Sequence, residues 1–449
     1  MLAVAPLFLF PFCSDGSMAV VLLWISLPAA LWTVLEPSIR GGEHLHDARW
    51  RVAKSIFRDP LFWASFVLVV FAGLRALNVG ITLAYDAETS SWSVSEASFP
   101  VLPGVVGASG DLPFAAALAF AVVLQGCRHS LGRSARVAFL LLSSALSGLA
   151  AVIALIAAHF GSPGAVASFS VGEGAYSFFG LVFGLYLIGG IVALVAAFER
   201  NWSLAFLLLV LSLGGNGAGL FAFAPPYLSA AFAVAGVVML GYAFAYSCRA
   251  LKGSGEFKLL VVAGVSLTLG GLLAVAILPE AVLGGRLAAF RDLAFFSPRF
   301  WETRGTLSAV AFRSWISHLW AGTGIASFPL DFRFGARAAD WVLFPRGTAL
   351  LPNGWWLLLA ERGVVGFVAF ALPFGFLLFT YVRRLIGGVD GWTLPHPGCL
   401  IAPIVFLLFV ADGFLDCSPL RVEALLATGA FLAVSASSFP RMKRGRENG

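Results

Sequence analysis

Runs of apolar residues dominate the chain and are broken at short intervals by clusters of charge, glycine and proline. A helix that crosses a hydrocarbon core of roughly 30 Å needs about 17–25 predominantly apolar residues. That template predicts spans near residues 18–35, 61–84, 113–127, 137–159, 178–198, 203–221, 227–247, 258–279, 356–380, 398–415 and 421–438. The reading is an all-α, polytopic transmembrane helical bundle of about eleven spans. Residues 1–13 are too short for a full crossing, although Pro6 and Pro11 suit a re-entrant half-helix that raises the number to about twelve. Three regions follow: transmembrane helices over 1–279, a large external loop over 280–355 carrying amphipathic helices, and transmembrane helices with a basic tail over 356–449.

Composition agrees with lipid as the solvent. The 449 residues are 59% hydrophobic and 12% charged, with mean hydropathy +0.91, whereas a soluble domain is about one quarter charged. The cysteines Cys13, Cys127, Cys248, Cys399 and Cys417 stand singly, without a C-x-x-C pair or a histidine at ligand spacing, so neither a metal nor a disulfide framework is expected. No Lys or Arg precedes the apolar run from Leu2 to Phe12, which argues against a cleaved signal peptide.

Charge sets the expected orientation through the excess of Lys and Arg in short cytoplasmic loops. Arg40, Arg49, Arg51, Lys54 and Arg58 share one loop, and Arg128, Arg133 and Arg136 the next on that side. Arg200, then Arg249, Lys252 and Lys258, then Arg383 and Arg384, then the tail from Arg441 continue the series. Segments 85–112, 160–177 and 222–226 contain no Lys or Arg and are expected outside, in the periplasm of a double-membraned bacterium, with the C-terminus in the cytoplasm. The net charge of +6 then reflects topology, and nucleic acid is not an expected partner.

The loop over 280–355 departs from that pattern. It carries Arg286, Arg291, Arg299, Arg304, Arg313, Arg333, Arg337 and Arg346 and no lysine. Long translocated segments escape the charge rule, and a planar guanidinium grips phosphate bidentately where an ammonium is a point charge. Asp331, Asp340, Glu280, Glu302 and Asp292 are available as partners for these arginines. Within the loop, Thr306 to Leu319 lacks Gly and Pro, opens on a residue that caps helices and ends at Gly322-Thr323-Gly324, which predicts a surface helix with Phe312, Trp315 and Trp320 at the interface. At 100° per residue Arg304 and His318 share a face of it and Arg313 opposes them. Arg75, in Phe71-Ala-Gly-Leu-Arg75-Ala-Leu-Asn78, is a charge inside an apolar span, where ionisable groups face a cavity or a partner.

The run from Arg304 through Gly322-Thr-Gly324-Ile-Ala-Ser-Phe328 resembles the arginine, helix and G-x-G-x-x-x-F pattern of the O-antigen ligase and O-antigen polymerase superfamily. The stretch Asn353-Gly-Trp-Trp-Leu-Leu-Leu-Ala-Glu361-Arg-Gly363-Val-Val-Gly366 resembles that family's H-N-x-x-L-x-x-L-x-E-x-G-x-x-G motif, which opens the next span. The resemblance covers residues 300–370. It implies a membrane glycosyltransferase of the ligase/polymerase type, acting at the outer face of the inner membrane without a metal or other cofactor. Such an enzyme moves glycan from a polyprenyl-diphosphate-linked donor to a glycan or lipid acceptor. By the same resemblance Arg304, with Arg313 second, meets the diphosphate, Glu361 acts as base or orients an arginine, and Asn353, Gly322 and Gly324 belong to the substrate site; Arg75 joins them as a charge placed inside a span. Arginines stabilise a departing diphosphate electrostatically.

One departure narrows the reading. Pro352 stands where the family's ligases carry the histidine of H-N, so the side chain that would activate an acceptor hydroxyl is missing, and His318 is the substitute best placed by sequence. This favours a polymerase-like or divergent member over a standard ligase. Asp412 and Asp416 read as solvated charge flanking a short external turn, and Trp341, Trp355 and Trp356 as interfacial aromatics. A transporter or flippase for an amphiphilic substrate, and a catalytically inactive scaffold for envelope polysaccharide assembly, are the competing classes. Gly253-Ser-Gly255 lacks the lysine of a phosphate-binding loop, so a cytosolic sugar nucleotide is not an expected donor.

Overall fold

The computed structural model describes residues 15–41, 54–77, 83–86, 91–94, 111–130, 133–160, 177–199, 206–250, 255–278, 298–325, 352–386, 397–416 and 420–436, with isolated positions between 283 and 340. The half-helix expected over residues 1–13, the basic tail, Trp341 and the loop arginines Arg286, Arg291, Arg333 and Arg346 lie outside the described residues.

An apolar helix occupies each of the eleven predicted span positions. In order these are α1 (Asp15–Gly41), α2 (Pro60–Leu77), α3 (Asp111–Gln125), α4 (Arg133–Phe160) and α5 (Ser177–Glu199). There follow α6 (Phe206–Val210, continued through Leu211–Gly215 into Asn216–Phe223), α7 (Pro226–Ala250) and α8 (Gly255–Ile277). After the loop helix α9 (Pro298–Ser317) come α10 (Gly354–Ile386), α11 (Ile401–Leu415) and α12 (Val422–Ala436). Six of them are long and apolar enough to cross a membrane by length and composition, and five more are apolar helices of 10–17 residues. The chain is therefore an all-α polytopic membrane protein. The pattern did not predict the antiparallel hairpin pairing Leu83–Asp86 with Ser91–Val94 in the register Tyr85↔Trp92. Four-residue strands are too short for a periodic signal.

Burial sorts the helices by depth. Every residue from 180 to 196 of α5 is buried; a helix that is apolar on all faces belongs at the centre of a bundle. It packs against α4, α6, α7 and α12. The outer helices instead present Val234, Val237 and Val238 on α7, and Val265, Leu269 and Leu272 on α8, to the surroundings, as lipid-facing sides do. Between α4 and α6 the backbones touch: a Cβ on Gly215 would lie 2.5 Å from the Gly148 carbonyl oxygen, which is the small-residue packing used where no hydrophobic force drives helices together. The same seam buries Asn216. Its Nδ2 donates to the carbonyls of Ser144 (2.8 Å) and Ser212 (2.6 Å), while its Oδ1 accepts from Ser147 Oγ (2.7 Å).

The loop helix begins earlier than its sequence suggested. Pro298 occupies its first turn, where a missing N–H does no harm, so α9 starts eight residues before Thr306 and ends at Ser317. Leu307, Val310 and Ala311 repeat at helical spacing and pack on Phe328, Phe332, Leu357 and Ala360 as a separate small core. Phe312, Ile316 and Trp320 remain exposed. Helix directions give the bundle two ends. The starts of α1, α3, α10 and α12 meet the finish of α2 around one cavity, and this is the end that carries α9.

Candidate functional site

The two stretches singled out in the sequence meet through their main chains. Helix α10 is broken at Gly363, whose backbone (φ 64°, ψ −173°) is not helical. A break in an apolar helix frees backbone groups that lipid cannot satisfy, and here the turn after α9 satisfies them. The amides of Thr323 and Gly324 donate to the carbonyls of Ala360 (2.9 Å) and Glu361 (3.0 Å). In return the amides of Val364 and Val365 donate to the carbonyls of Leu319 (3.0 Å) and Trp320 (3.2 Å). Thr323 Oγ1 adds a bond to the Ala360 carbonyl (3.1 Å) and shares a hydrogen bond with Ser327 Oγ (2.7 Å).

Glycine is required on both sides of this clasp. Gly322 and Gly363 have φ of 69° and 64°, a region that L side chains avoid. A Cβ on Gly322 would lie 2.4 Å from the carbonyl carbon of Glu361, and one on Gly363 would lie 2.2 Å from the Trp320 carbonyl oxygen. Gly324, with φ 118°, completes the turn. The spacing of the glycines thus has a packing reason that owes nothing to a ligand.

Arg75 closes the clasp from α2. It is fully buried, its guanidinium lies 5.2 Å from the centre of the Phe71 ring, and Nη2 donates to the Ala321 carbonyl, with the Arg362 carbonyl 3.5 Å away. One side chain therefore touches both halves of the clasp. The Glu361 carboxylate is also buried, within electrostatic reach of Arg75 and Arg362, and its Oε1 accepts the Phe328 amide at 3.4 Å.

Beside the clasp lies a cavity of about 110 Å³ walled by Leu68, Ala72, Ala116 and Phe370, with Arg362 and Arg421 on its lining. Neither arginine was singled out from sequence. Arg362 is an unspecified position of the motif, and Arg421 stands at the very start of the last predicted span, with no local sign of a site until α10 and α12 are seen to pack together.

The remaining expected site residues are spread along α9. Arg304 Nη2 stands 3.7 Å from Asp416 Oδ1, and its guanidinium is 5.8 Å from the Phe300 ring centre. Asp416 and Asp412 are each 2% exposed, which corrects their reading as solvated turn charge: Asp412 is buried in the last turn of α11, and Asp416 follows that helix with an extended backbone (φ −144°, ψ 172°). The Asp416 carbonyl also accepts the Gly354 amide (2.8 Å), joining α11 to the start of α10. Arg313 is held by Asp340, with Nη2 2.5 Å from Oδ2, and the same oxygen accepts the Arg337 amide at 2.7 Å; Asp340 is thus one of the arginine partners available in the loop. His318 is exposed beyond the end of α9, its Nδ1 3.0 Å from Ser317 Oγ. It shares an angular face with Arg304, but the 14 intervening steps separate them by about 21 Å along the axis. Trp355 joins α10 to α11: its Nε1 donates to the Val410 carbonyl (3.1 Å), and its ring packs on Phe367, Phe370 and Phe409.

Asn353 has a structural duty. Its Oδ1 accepts the Trp356 amide (2.9 Å), capping α10, and its Nδ2 reaches Ser308 Oγ on α9 at 3.4 Å. Asn353→Ala is expected to lower stability by about 1 kcal/mol, read as the shift of the thermal unfolding midpoint in detergent, while Asn353→Ser retains most of it.

Comparison with family models, with curated proteins and with solved structures finds no match to this chain.

Proposed function

We propose that this chain is a membrane glycosyltransferase of the O-antigen ligase and polymerase type, transferring or polymerising glycan from a polyprenyl-diphosphate-linked donor at the periplasmic face of a bacterial inner membrane. The observation that carries the reading is the clasp. The two stretches that resemble the family's motifs hydrogen-bond to each other through main-chain pairs 37 and 45 positions apart, around a buried arginine and beside a cavity bearing two further arginines. In this reading the anomeric C–O bond breaks as the acceptor oxygen attacks. The diphosphate leaves with the bonding electrons, and the acceptor proton passes to a carboxylate.

The residues divide into two groups. Arg304 and the cavity arginines Arg362 and Arg421 supply positive charge where the diphosphate departs. Arg75 is a positioning residue, because its Nη2 is spent on main chain, and Glu361 orients the arginines on either side of it. Asp416, 3.7 Å from Arg304, takes the proton-accepting role that the Pro352 departure leaves open. His318 stands too far along α9 for that role.

The break in α10 favours a second reading as a transporter, since interrupted helices form transporter substrate sites. Such sites use matched breaks in the two halves of the chain, whereas among the described residues Gly363 is the one helical glycine with positive φ.

Purified protein in nanodiscs, given native polyprenyl-diphosphate glycan and acceptor, is expected to release polyprenyl diphosphate, and Arg304→Ala to slow release about 100-fold, as loss of one charge-stabilising donor does. Movement of unchanged donor between leaflets without release would establish the transporter reading instead. Neither release nor movement would leave a scaffold.

A further inference from the structure

At the end of the bundle away from α9, a crevice of about 550 Å³ opens between the start of α2, the turn Gly126–Ser130 that ends α3, and the last turns of α10. Leu61, Phe376 and Phe379 form its apolar wall, and Asp59, Arg128 and Arg383 its polar rim. Phe379 is 63% exposed on the outward side of α10, so the crevice opens sideways, toward lipid.

The rim is built rather than incidental. Asp59 is buried and caps α2, its Oδ1 accepting the Leu61 amide (3.1 Å) with Pro60 at the first helical position. Its Oδ2 lies 2.8 Å from Arg128 Nε, which fixes that guanidinium at the rim. A guanidinium carries five donors, so one contact through Nε leaves it able to serve a second anion. Two guanidiniums against one carboxylate give the rim a net positive charge.

Depth is marked independently. Trp63 Nε1 donates to the Phe57 carbonyl at 2.9 Å, and Phe57, Phe62, Trp63 and Phe66 pack in a ring cluster with centroids 5.1–6.1 Å apart. Three of these rings are about half exposed. Aromatic clusters of this kind sit at headgroup level, and this one adjoins the rim at the start of α2.

We infer that this crevice binds one anionic phospholipid, its phosphate between Arg128 and Arg383 and an acyl chain along Phe376 and Phe379. Guanidinium groups take phosphate bidentately, basic pockets between transmembrane helices accept anionic headgroups, and the apolar wall has no use for a free anion. The site is independent of the glycosyltransferase reading.

Native mass spectrometry of the full chain in detergent tests it, with phosphatidylglycerol, phosphatidylcholine or inorganic phosphate added. One phosphatidylglycerol is expected to persist at activation energies that strip phosphatidylcholine. Arg383→Gln, at an exposed side chain, is expected to weaken retention about fivefold. Equal retention of the two lipids by the wild type, retention unchanged in Arg383→Gln, or displacement of the lipid by equimolar inorganic phosphate would each overturn the assignment.

Discussion

Arg75→Ala is expected to destabilise the α9 end of the bundle by about 3–5 kcal/mol, the range for removing one member of a buried charged network. The substitution takes the donor from the Ala321 carbonyl and removes a positive charge from beside Glu361, while opening a void against the Phe71 ring. Loss of midpoint in thermal unfolding measures the total. Hydrogen exchange of the Thr323, Gly324, Val364 and Val365 amides localises it, because those four bonds hold the clasp together. Arg75→Lys is expected to recover less than half, since an ammonium is a single point and cannot span two carbonyls as a planar fork does. An alanine variant that melts within a degree of the wild type, with exchange unchanged, would remove Arg75 from the centre of the site.

Gly363→Ala is expected to be at least as damaging, about 4 kcal/mol or more. The Gly363 backbone (φ 64°, ψ −173°) lies in a region held essentially by glycine, which costs an L-residue of order 1–3 kcal/mol, and the new methyl would sit 2.2 Å from the Trp320 carbonyl oxygen. The two chains must then separate, breaking the bonds from Val364 and Val365 that cross there. The control is the same chemical change at Gly305, in the exposed body of α9, where nothing lies within 4 Å of the added carbon. Gly305→Ala is expected to stabilise the protein by about 1 kcal/mol through helix propensity alone. Opposite signs for the two variants in the same unfolding assay support the clasp, and equal signs contradict it.

Much of this was legible in the chain, for identifiable reasons. The apolar helices declare themselves by length, because lipid demands a continuous run of about 20 residues. Arg75 stood out as one charge in such a run. What it touches did not, since its acceptors are 246 and 287 positions away, and no local pattern spans that distance. The break in α10 was likewise invisible: Gly363 and Gly366 look alike in a span where glycine is common, and only the approach of Trp320 tells them apart. Asp412 and Asp416 were misread because a short turn between spans suggests solvent, and no local pattern shows that Asp416 meets Arg304, 112 positions earlier. The pairing of Arg304 with His318 failed for another reason. A helical projection keeps angles and discards height, and Arg304 lies in the second turn of α9 while His318 lies just past its last residue.

The reach of Arg75 also bears on how the protein comes into being. Asn216 finds its partners on α4, 69 and 72 positions earlier, so its contacts form as soon as α6 enters the membrane. Arg75 finds its own only after α9 and the start of α10 have been made. At about 5–20 residues per second, roughly 12–50 s of translation separate the insertion of α2 from the arrival of Ala321. Throughout that interval the nascent bundle of α1–α8 holds a cationic side chain whose final acceptors do not yet exist, and the emergence of α10 from the ribosome is the event that seals it.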